Sequence, residues 1–243
     1  MGFSLVLRSG CSWRMLPHDL PPWGTVHYYY RRLRRAGVWE KIHESLYKKV
    51  RKASGKPSGP TQAIGDSQSV KTTKKGGPER GYDGAKKVNG RKRHILVDSN
   101  GLLLKALVHA ADISEKEGAT TLFEQVAKNI KETTKSVFSS IRNLFLDAGY
   151  QGKEWLEKIK GLLGWNIEVV HKPRRRIWCH KDCDPPAMPR FTIVKKRWVV
   201  ERTFSWLDGY RRLSKDYEFL PRSSESMIHL AMIRLMLNRL SLC

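Results

Sequence analysis

The sequence predicts an α/β protein: a mixed sheet with helices on its faces, preceded by a small helical domain. Three observations carry this expectation. First, 40% of the 243 residues are hydrophobic and eight are Trp, enough to bury one sizeable core despite a net charge of +23. Second, the apolar period is helical before residue 53 and strand-like after residue 61. Third, the order after that change is strand hairpin, helix, strand, helix, strand, which suits a mixed sheet flanked by helices.

The helical region comes first. Thr25 caps a segment running to Ala36, Gly37 stops it, and Val38 begins a second helix with Trp39, Ile42, Leu46 and Val50 recurring on one face. Residues 53–61, Ala-Ser-Gly-Lys-Pro-Ser-Gly-Pro-Thr, have no apolar period and mark a linker. The expected organisation is therefore a helical N-terminal domain over 1–52, a linker over 53–61 and a second domain over 62–243. Strands are expected at Ala63–Val70, His94–Asp98 and Leu102–His109, the last two joined by the turn Ser99-Asn100-Gly101. Ser114 and Glu117 open a helix containing Leu122, Val126 and Ile130. Ser139–Asp147 follows as a strand, Lys153–Lys160 as a helix and Asn166–Val170 as a strand. Lys172–Pro189 breaks every pattern and is expected as a basic loop. A helix over Lys196–Leu207 then precedes a closing amphipathic helix over Ser224–Leu240, with Met227, Leu230, Ala231, Ile233, Leu235 and Leu237 toward the core.

Charge narrows the partner. The 46 Lys and Arg against 23 Asp and Glu favour a polyanion, bound with release of its counterions. Residues 1–60 alone carry 12 basic and 3 acidic side chains, and Arg31, Arg32, Arg34 and Arg35 crowd the end of the first helix. Lys71 to Arg93 is a second basic segment, in which Gly is interspersed with Lys in a way that suits close approach to phosphates. Apolar runs are too short to cross a bilayer and the N-terminus lacks a signal-peptide layout, so no membrane is expected. Cysteines at 11, 179, 183 and 243 form no paired framework, which points to a reducing compartment. Cys179, His180 and Cys183 with His171 upstream lack zinc-ligand spacing, and no structural zinc is expected there.

Against this basic background, three acidic residues stand out. Asp66 closes Ala-Ile-Gly-Asp, Asp147 closes Leu-Phe-Leu-Asp, and Glu201 lies inside a helical segment. A carboxylate at a strand end is held rigidly, and oxygen ligands suit Mg²⁺. Three such groups, 81 and then 54 positions apart, suffice as ligands for divalent ions that activate a nucleophile and stabilise a leaving oxygen at a phosphodiester.

The words around these carboxylates are more specific than their spacing. Asp66-Ser-Gln-Ser-Val-Lys-Thr-Thr, the Lys-Arg-His-Ile-Leu-Val-Asp run ending at Asp98, Asp147-Ala-Gly-Tyr-Gln-Gly, and Arg197-Trp-Val-Val-Glu-Arg-Thr-Phe-Ser-Trp-Leu together resemble the DDE transposases of bacterial insertion sequences. The resemblance is to the branch around the fourth and fifth insertion-sequence families. It extends to Arg8-Ser-Gly-Cys-Ser-Trp-Arg-Met-Leu-Pro and so covers nearly the whole chain. It implies a ribonuclease-H-like fold in which Asp66, Asp147 and Glu201 are the catalytic, metal-binding triad, with Mg²⁺ as the ion and Mn²⁺ as a substitute. It further implies transposon ends and target DNA as partners, a homo-oligomer in the synaptic complex, and a cytoplasmic, nucleoid-associated location. Phosphate contacts are expected from Arg31, Arg32, Arg34, Arg35, Lys71, Lys92, Arg93, Arg197, Arg202, Arg211 and Arg212.

Two departures from the family pattern matter. Its extended signature puts a Tyr three before the Arg and a Lys seven after the Glu; Arg197 fits, but Val194 and Asp208 occupy the other two places. Relatives also carry more residues before the Arg-Ser-Gly-Cys-Ser-Trp word, so the resemblance implies a chain short at its N-terminus. The leading expectation is cleavage at inverted repeats with water as nucleophile, then joining of the 3′-hydroxyls to target DNA. The alternatives are a nuclease or resolvase of the same fold, and a decayed transposase that binds DNA without turnover.

Overall fold

The computed structural model describes residues 2–74, 76–133, 136–170 and 196–241. Three helices come first: α1 (Gly2–Ser9), α2 (Trp23–Arg35) and α3 (Val38–Ala53). Gly37 separates α2 from α3 at φ 63°, a left-handed conformation that glycine adopts without a Cβ penalty. Along α3 the buried stripe is Trp39, His43, Tyr47 and Val50, whereas Ile42 is exposed and Leu46 only half-buried. The expected apolar face was thus set one position off, because His43 and Tyr47 bury their rings more deeply than the aliphatic residues beside them.

The sheet is mixed. Its strands are β1 (Gln62–Lys71), β2 (Gly81–Asp83), β3 (Val88–Asp98), β4 (Leu103–Ala110), β5 (Asn143–Asp147) and β6 (Asn166–Val170). β1 is central, antiparallel to β3 and parallel to β5; β5 is parallel to β6, and both β2 and β4 pair with β3 in antiparallel fashion. Four further helices flank it. α4 (Glu115–Glu132) lies on β3 and β4, α5 (Lys153–Leu163) on β6, α6 (Arg197–Asp208) across β1, β3 and β5, and α7 (Pro221–Leu240) on β4. This is the mixed sheet flanked by helices, with a helical N-terminus, that the sequence predicts, and it is the architecture of a ribonuclease-H-like catalytic domain.

Local rules place many of the boundaries. The Ser114 side chain accepts from the Glu117 N–H and caps α4. Pro221 opens α7 at the first helical turn, where its missing N–H costs nothing, so this helix starts three residues before the expected Ser224. One strand expectation is corrected. The expected strand from Ser139 begins only at Asn143, because Val137–Ser140 forms a short 3₁₀ turn capped by Ser136. The basic segment Lys71–Arg93 is in part sheet: β1 ends at Lys71, β2 fills Gly81–Asp83 and β3 starts at Val88. At Gly90 a Cβ would lie 1.9 Å from the Val70 carbonyl oxygen, so β3 reaches β1 there only as glycine.

The N-terminal helices share one core with the sheet. Leu7, Tyr30, Trp39, Tyr47 and Val50 are buried in the same cluster as Ile95, Leu144, Phe204 and Met232, and α3 packs along α7. Asp98 ties the two regions together. One of its oxygens accepts from Asn100 N–H (2.8 Å) and Leu102 N–H (2.9 Å) to shape the β3–β4 turn; the other accepts from Tyr47 Oη (3.1 Å) and pairs with Arg51. Arg51 also donates to the Pro57 carbonyl at 2.7 Å, so the 53–61 segment is strapped to α3 at this point. Among the described residues, no helix is long and apolar enough to cross a membrane.

Candidate active site

Asp66 lies in the middle of β1 rather than at its end, flanked by β3 and β5. β1 and β5 run parallel with Ile64 opposite Phe145; continued by two residues, this register sets Asp66 opposite Asp147, the last residue of β5. The period of two along a strand keeps each aspartate on the face of the residue that starts the count. The two carboxylates therefore arise from adjacent parallel strands, 81 positions apart in sequence and side by side in the sheet.

Each carboxylate is held by its local backbone. Asp66 Oδ1 accepts from the Ser67 N–H at 2.7 Å, and Asp147 Oδ1 accepts from the Ala148 N–H as it caps the turn after β5. Burial pushes the Asp66 carboxyl up to about 6, and the charge of Asp147 adds to the rise, against the opposing Ser67 N–H and Arg197.

α6 supplies the third acid through an arginine. Arg197, in its first turn, grips Asp147 with two parallel contacts of 2.9 Å, Nη1 to Oδ1 and Nη2 to Oδ2. One turn further on, Glu201 Oε1 is 3.6 Å from the same Nη2. Glu201 is mostly exposed, with 59% of its side chain accessible, whereas Arg197 is only 12% accessible. At the far end of α6, Asp208 receives a 3.2 Å hydrogen bond from Gln68, two residues along β1 from Asp66. This aspartate stands where the family signature has a lysine, so α6 meets β1 there through an amide and not through a cation.

The triad is thus assembled in part. Asp66 and Asp147 sit together, and Glu201 joins them by way of Arg197; no group of three His, Cys, Asp or Glu among the described residues is close enough to hold a metal ion directly. The donors are all carboxylate oxygens, a set that fits a hard divalent cation such as Mg²⁺ or Mn²⁺. Val194 and the Cys179, His180, Cys183 and His171 group lie outside the described residues, as does the expected basic loop over 172–189.

The expected phosphate contacts divide sharply. Arg31, Arg32 and Arg35 are exposed on α2 and Arg34 is half-buried; Lys71 and Arg211 are also exposed. Lys92, Arg93 and Arg212 are not surface cations. Lys92 donates to the Ile113 carbonyl at 2.7 Å, Arg93 to the Leu213 carbonyl at 2.7 Å, and Arg212 pairs with Glu218 at 2.7 Å. On β3, Arg93 is covered by the segment before α7 and Lys92 by the turn before α4, so these charged side chains are enclosed and must satisfy carbonyls and carboxylates within the protein. Arg202 occupies an intermediate position, 4.2 Å from the Trp198 ring and 4.7 Å from the Trp206 ring, with Nη2 on the Asn100 carbonyl.

Sequence reasoning passed over three neighbours of the carboxylates. Ser67 Oγ donates to Glu115 Oε1 at 3.0 Å, Lys86 Nζ reaches the same oxygen at 2.8 Å, and Tyr150 is buried just after Asp147. Ser67 and Tyr150 lie within the motif words around the two aspartates; Glu115 offers no signal beyond its place in the first turn of a helix.

The family model described as transposase DDE domain matches residues 57–236, and a second, described as putative transposase of the IS4/5 family, matches residues 2–43. A curated relative, the putative transposase for insertion sequence element IS402 of Burkholderia cepacia, is 27% identical over 129 residues, covering 53% of this chain and 54% of the relative. The chain thus spans about half the length of that relative. No solved structure matches.

Proposed function

Because this chain belongs to the transposase DDE domain family, with an N-terminal segment of the IS4/5 type, we propose that it cleaves DNA at the ends of an insertion sequence and joins the freed 3′-hydroxyls to target DNA. The observation that supports this reading best is the placement of Asp66 and Asp147 on adjacent parallel strands, with Arg197 linking Asp147 to Glu201. Asp66, Asp147 and Glu201 are the residues that would hold Mg²⁺ or Mn²⁺. The chemistry such a cation would supply there is activation of the attacking water and neutralisation of charge on the leaving oxygen. The β-sheet fixes the two aspartates, so their separation does not depend on a loop. Arg197 balances the charge of Asp147 and Glu201 within the protein chain and so lowers the repulsion of gathering acidic groups.

Incubation with a duplex carrying the DNA that flanks its own coding sequence tests the proposal. The expected products are Mg²⁺-dependent nicks at the element ends and strand-transfer products with a target plasmid, both abolished in EDTA. Cleavage without strand transfer would assign the chain to the nucleases, and binding without either product would make it a decayed, non-catalytic DNA-binding protein.

DNA affinity is proposed to come from α2, where Arg31, Arg32 and Arg35 share a concave surface with Trp23 and Tyr28. Changing Arg31, Arg32, Arg34 and Arg35 to Gln is expected to flatten the dependence of affinity on salt, by about 0.9 in the log–log slope for each phosphate that is no longer neutralised. Fluorescence anisotropy across a salt series reads this slope, and an unchanged value would show that these arginines face only water.

A further inference from the structure

Behind the carboxylate pair lies a second set of polar groups that the proposed chemistry does not use. Glu115, in the first turn of α4, accepts from Ser67 Oγ at 3.0 Å and from Lys86 Nζ at 2.8 Å, both at Oε1. Ser67 is the neighbour of Asp66 in β1, so this interaction ties the strand that carries the first aspartate to α4. The other oxygen of Glu115 faces the turn after Asp147: a Cβ built on Gly149 would lie 3.0 Å from Oε2. Glu115 is therefore held between the two segments that present Asp66 and Asp147.

Tyr150 supplies an independent observation. Its side chain is 1% exposed and its ring stacks on Trp155 with centroids 5.9 Å apart. Its hydroxyl lies beside Ser67, whose Oγ donates to Glu115, and makes no hydrogen bond of ordinary geometry. Burial pushes the Tyr150 hydroxyl well above the usual phenol range, and the charges of Asp66, Glu115 and Asp147 add to the rise. A buried hydroxyl left without a partner is destabilising, so a chain optimised only for stability would carry Phe here.

We propose that Glu115 and Tyr150 are positioning residues that fix the Asp66–Asp147 pair for a divalent cation, Glu115 by holding β1 through Ser67 while it lies against the turn after β5, and Tyr150 by setting its buried hydroxyl beside Ser67, the neighbour of Asp66. This rests on the metal-binding reading of Asp66 and Asp147. Neither residue touches the reacting phosphate; both act through the aspartates. Groups that orient metal ligands from outside typically change metal affinity about 10- to 100-fold when removed.

The test uses the purified full chain and Mn²⁺ alone, with free Mn²⁺ followed by electron paramagnetic resonance and thermal melts recorded in EDTA. Tyr150→Phe is expected to weaken Mn²⁺ binding about tenfold while melting at the same temperature as the unaltered chain or higher. Glu115→Gln is expected to weaken it similarly, and Glu115→Asp to restore part of the affinity. Asp66→Asn is the reference that separates the two levels of inference. If Asp66→Asn abolishes Mn²⁺ binding and both Glu115→Gln and Tyr150→Phe bind it normally, the positioning role is overturned and the metal site stands. If Asp66→Asn binds Mn²⁺ as tightly as the unaltered chain, both are overturned. A Tyr150→Phe protein that melts lower and binds Mn²⁺ normally would make the hydroxyl a purely structural group.

Discussion

Replacing Asp66, Asp147 or Glu201 by its amide is expected to lower Mg²⁺-dependent cleavage on the order of 10⁴- to 10⁶-fold, the scale on which removal of one member of a catalytic constellation acts. DNA affinity is expected to stay unchanged or rise, because each change removes a negative charge near the phosphate while the basic surface of α2 is untouched. Double amides are expected to add little to the worst single one, since a broken site cannot be broken again. Thermal melts separate this from a folding defect, and for Asp66 the sign is fixed by burial. Its folded carboxyl titrates near 6, above the usual 3.8, so the protonated form favours folding. The stability this group supports is complete below about pH 4 and is lost as the pH rises through 6, and Asp66→Asn should therefore melt above the unaltered chain at pH 8 and alongside it at pH 4. A Glu201→Gln protein that folds and cleaves normally would remove Glu201 from the site and leave the two aspartates as the active pair.

What the sequence made legible follows from the range of the interactions involved. Ser114 as a helix cap, Gly37 as a helix stop and the Ser99-Asn100-Gly101 turn obey rules that act within four residues, and all three hold in the structure. Asp98 shows what such rules miss: its turn hydrogen bonds are local, but its pairing with Arg51 and Tyr47 spans about fifty positions and appears only once α3 docks on the sheet. The aspartates proposed for the site stood out through their surrounding words, and the sheet register sets them side by side. Glu115 was not, because a glutamate in the first turn of a helix is what capping and the helix dipole favour anyway, and its meaning comes from Ser67, 48 positions away. The deepest misreading concerned Arg91, Lys92 and Arg93, where a run of positive charge suggested a surface that the segments before α4 and α7 instead cover.

Arg91 gives that correction its strongest test. The side chain is fully buried, and its guanidinium donates to the carbonyls of Glu79 (2.8 Å), Glu218 (2.8 Å) and Phe219 (2.8 Å) while Nη1 lies 3.2 Å from Asp216. Asp216 is also buried, accepts from Ser224 Oγ at 2.7 Å, and hydrogen-bonds through its N–H to the Lys71 carbonyl at 2.8 Å. One arginine thus joins β3, the segment before β2 and the approach to α7. Arg91→Met removes the cation, leaves the Asp216 charge buried and strands three carbonyls, a change expected to cost about 3 to 5 kcal/mol. At roughly 2 to 4 °C per kcal/mol for a chain of this size, the melting temperature should fall on the order of 10 °C. Arg91→Met with Asp216→Asn should recover part of that stability, because the uncompensated charge disappears with the second change. Exposed Lys87→Ala, from the same basic stretch, should leave the melt within about 0.5 kcal/mol of the unaltered chain. If Arg91 were instead a phosphate ligand, Arg91→Met would fold normally and lower the salt dependence of DNA binding. A melt beside a salt titration on the same protein therefore assigns the residue to the core or to the interface.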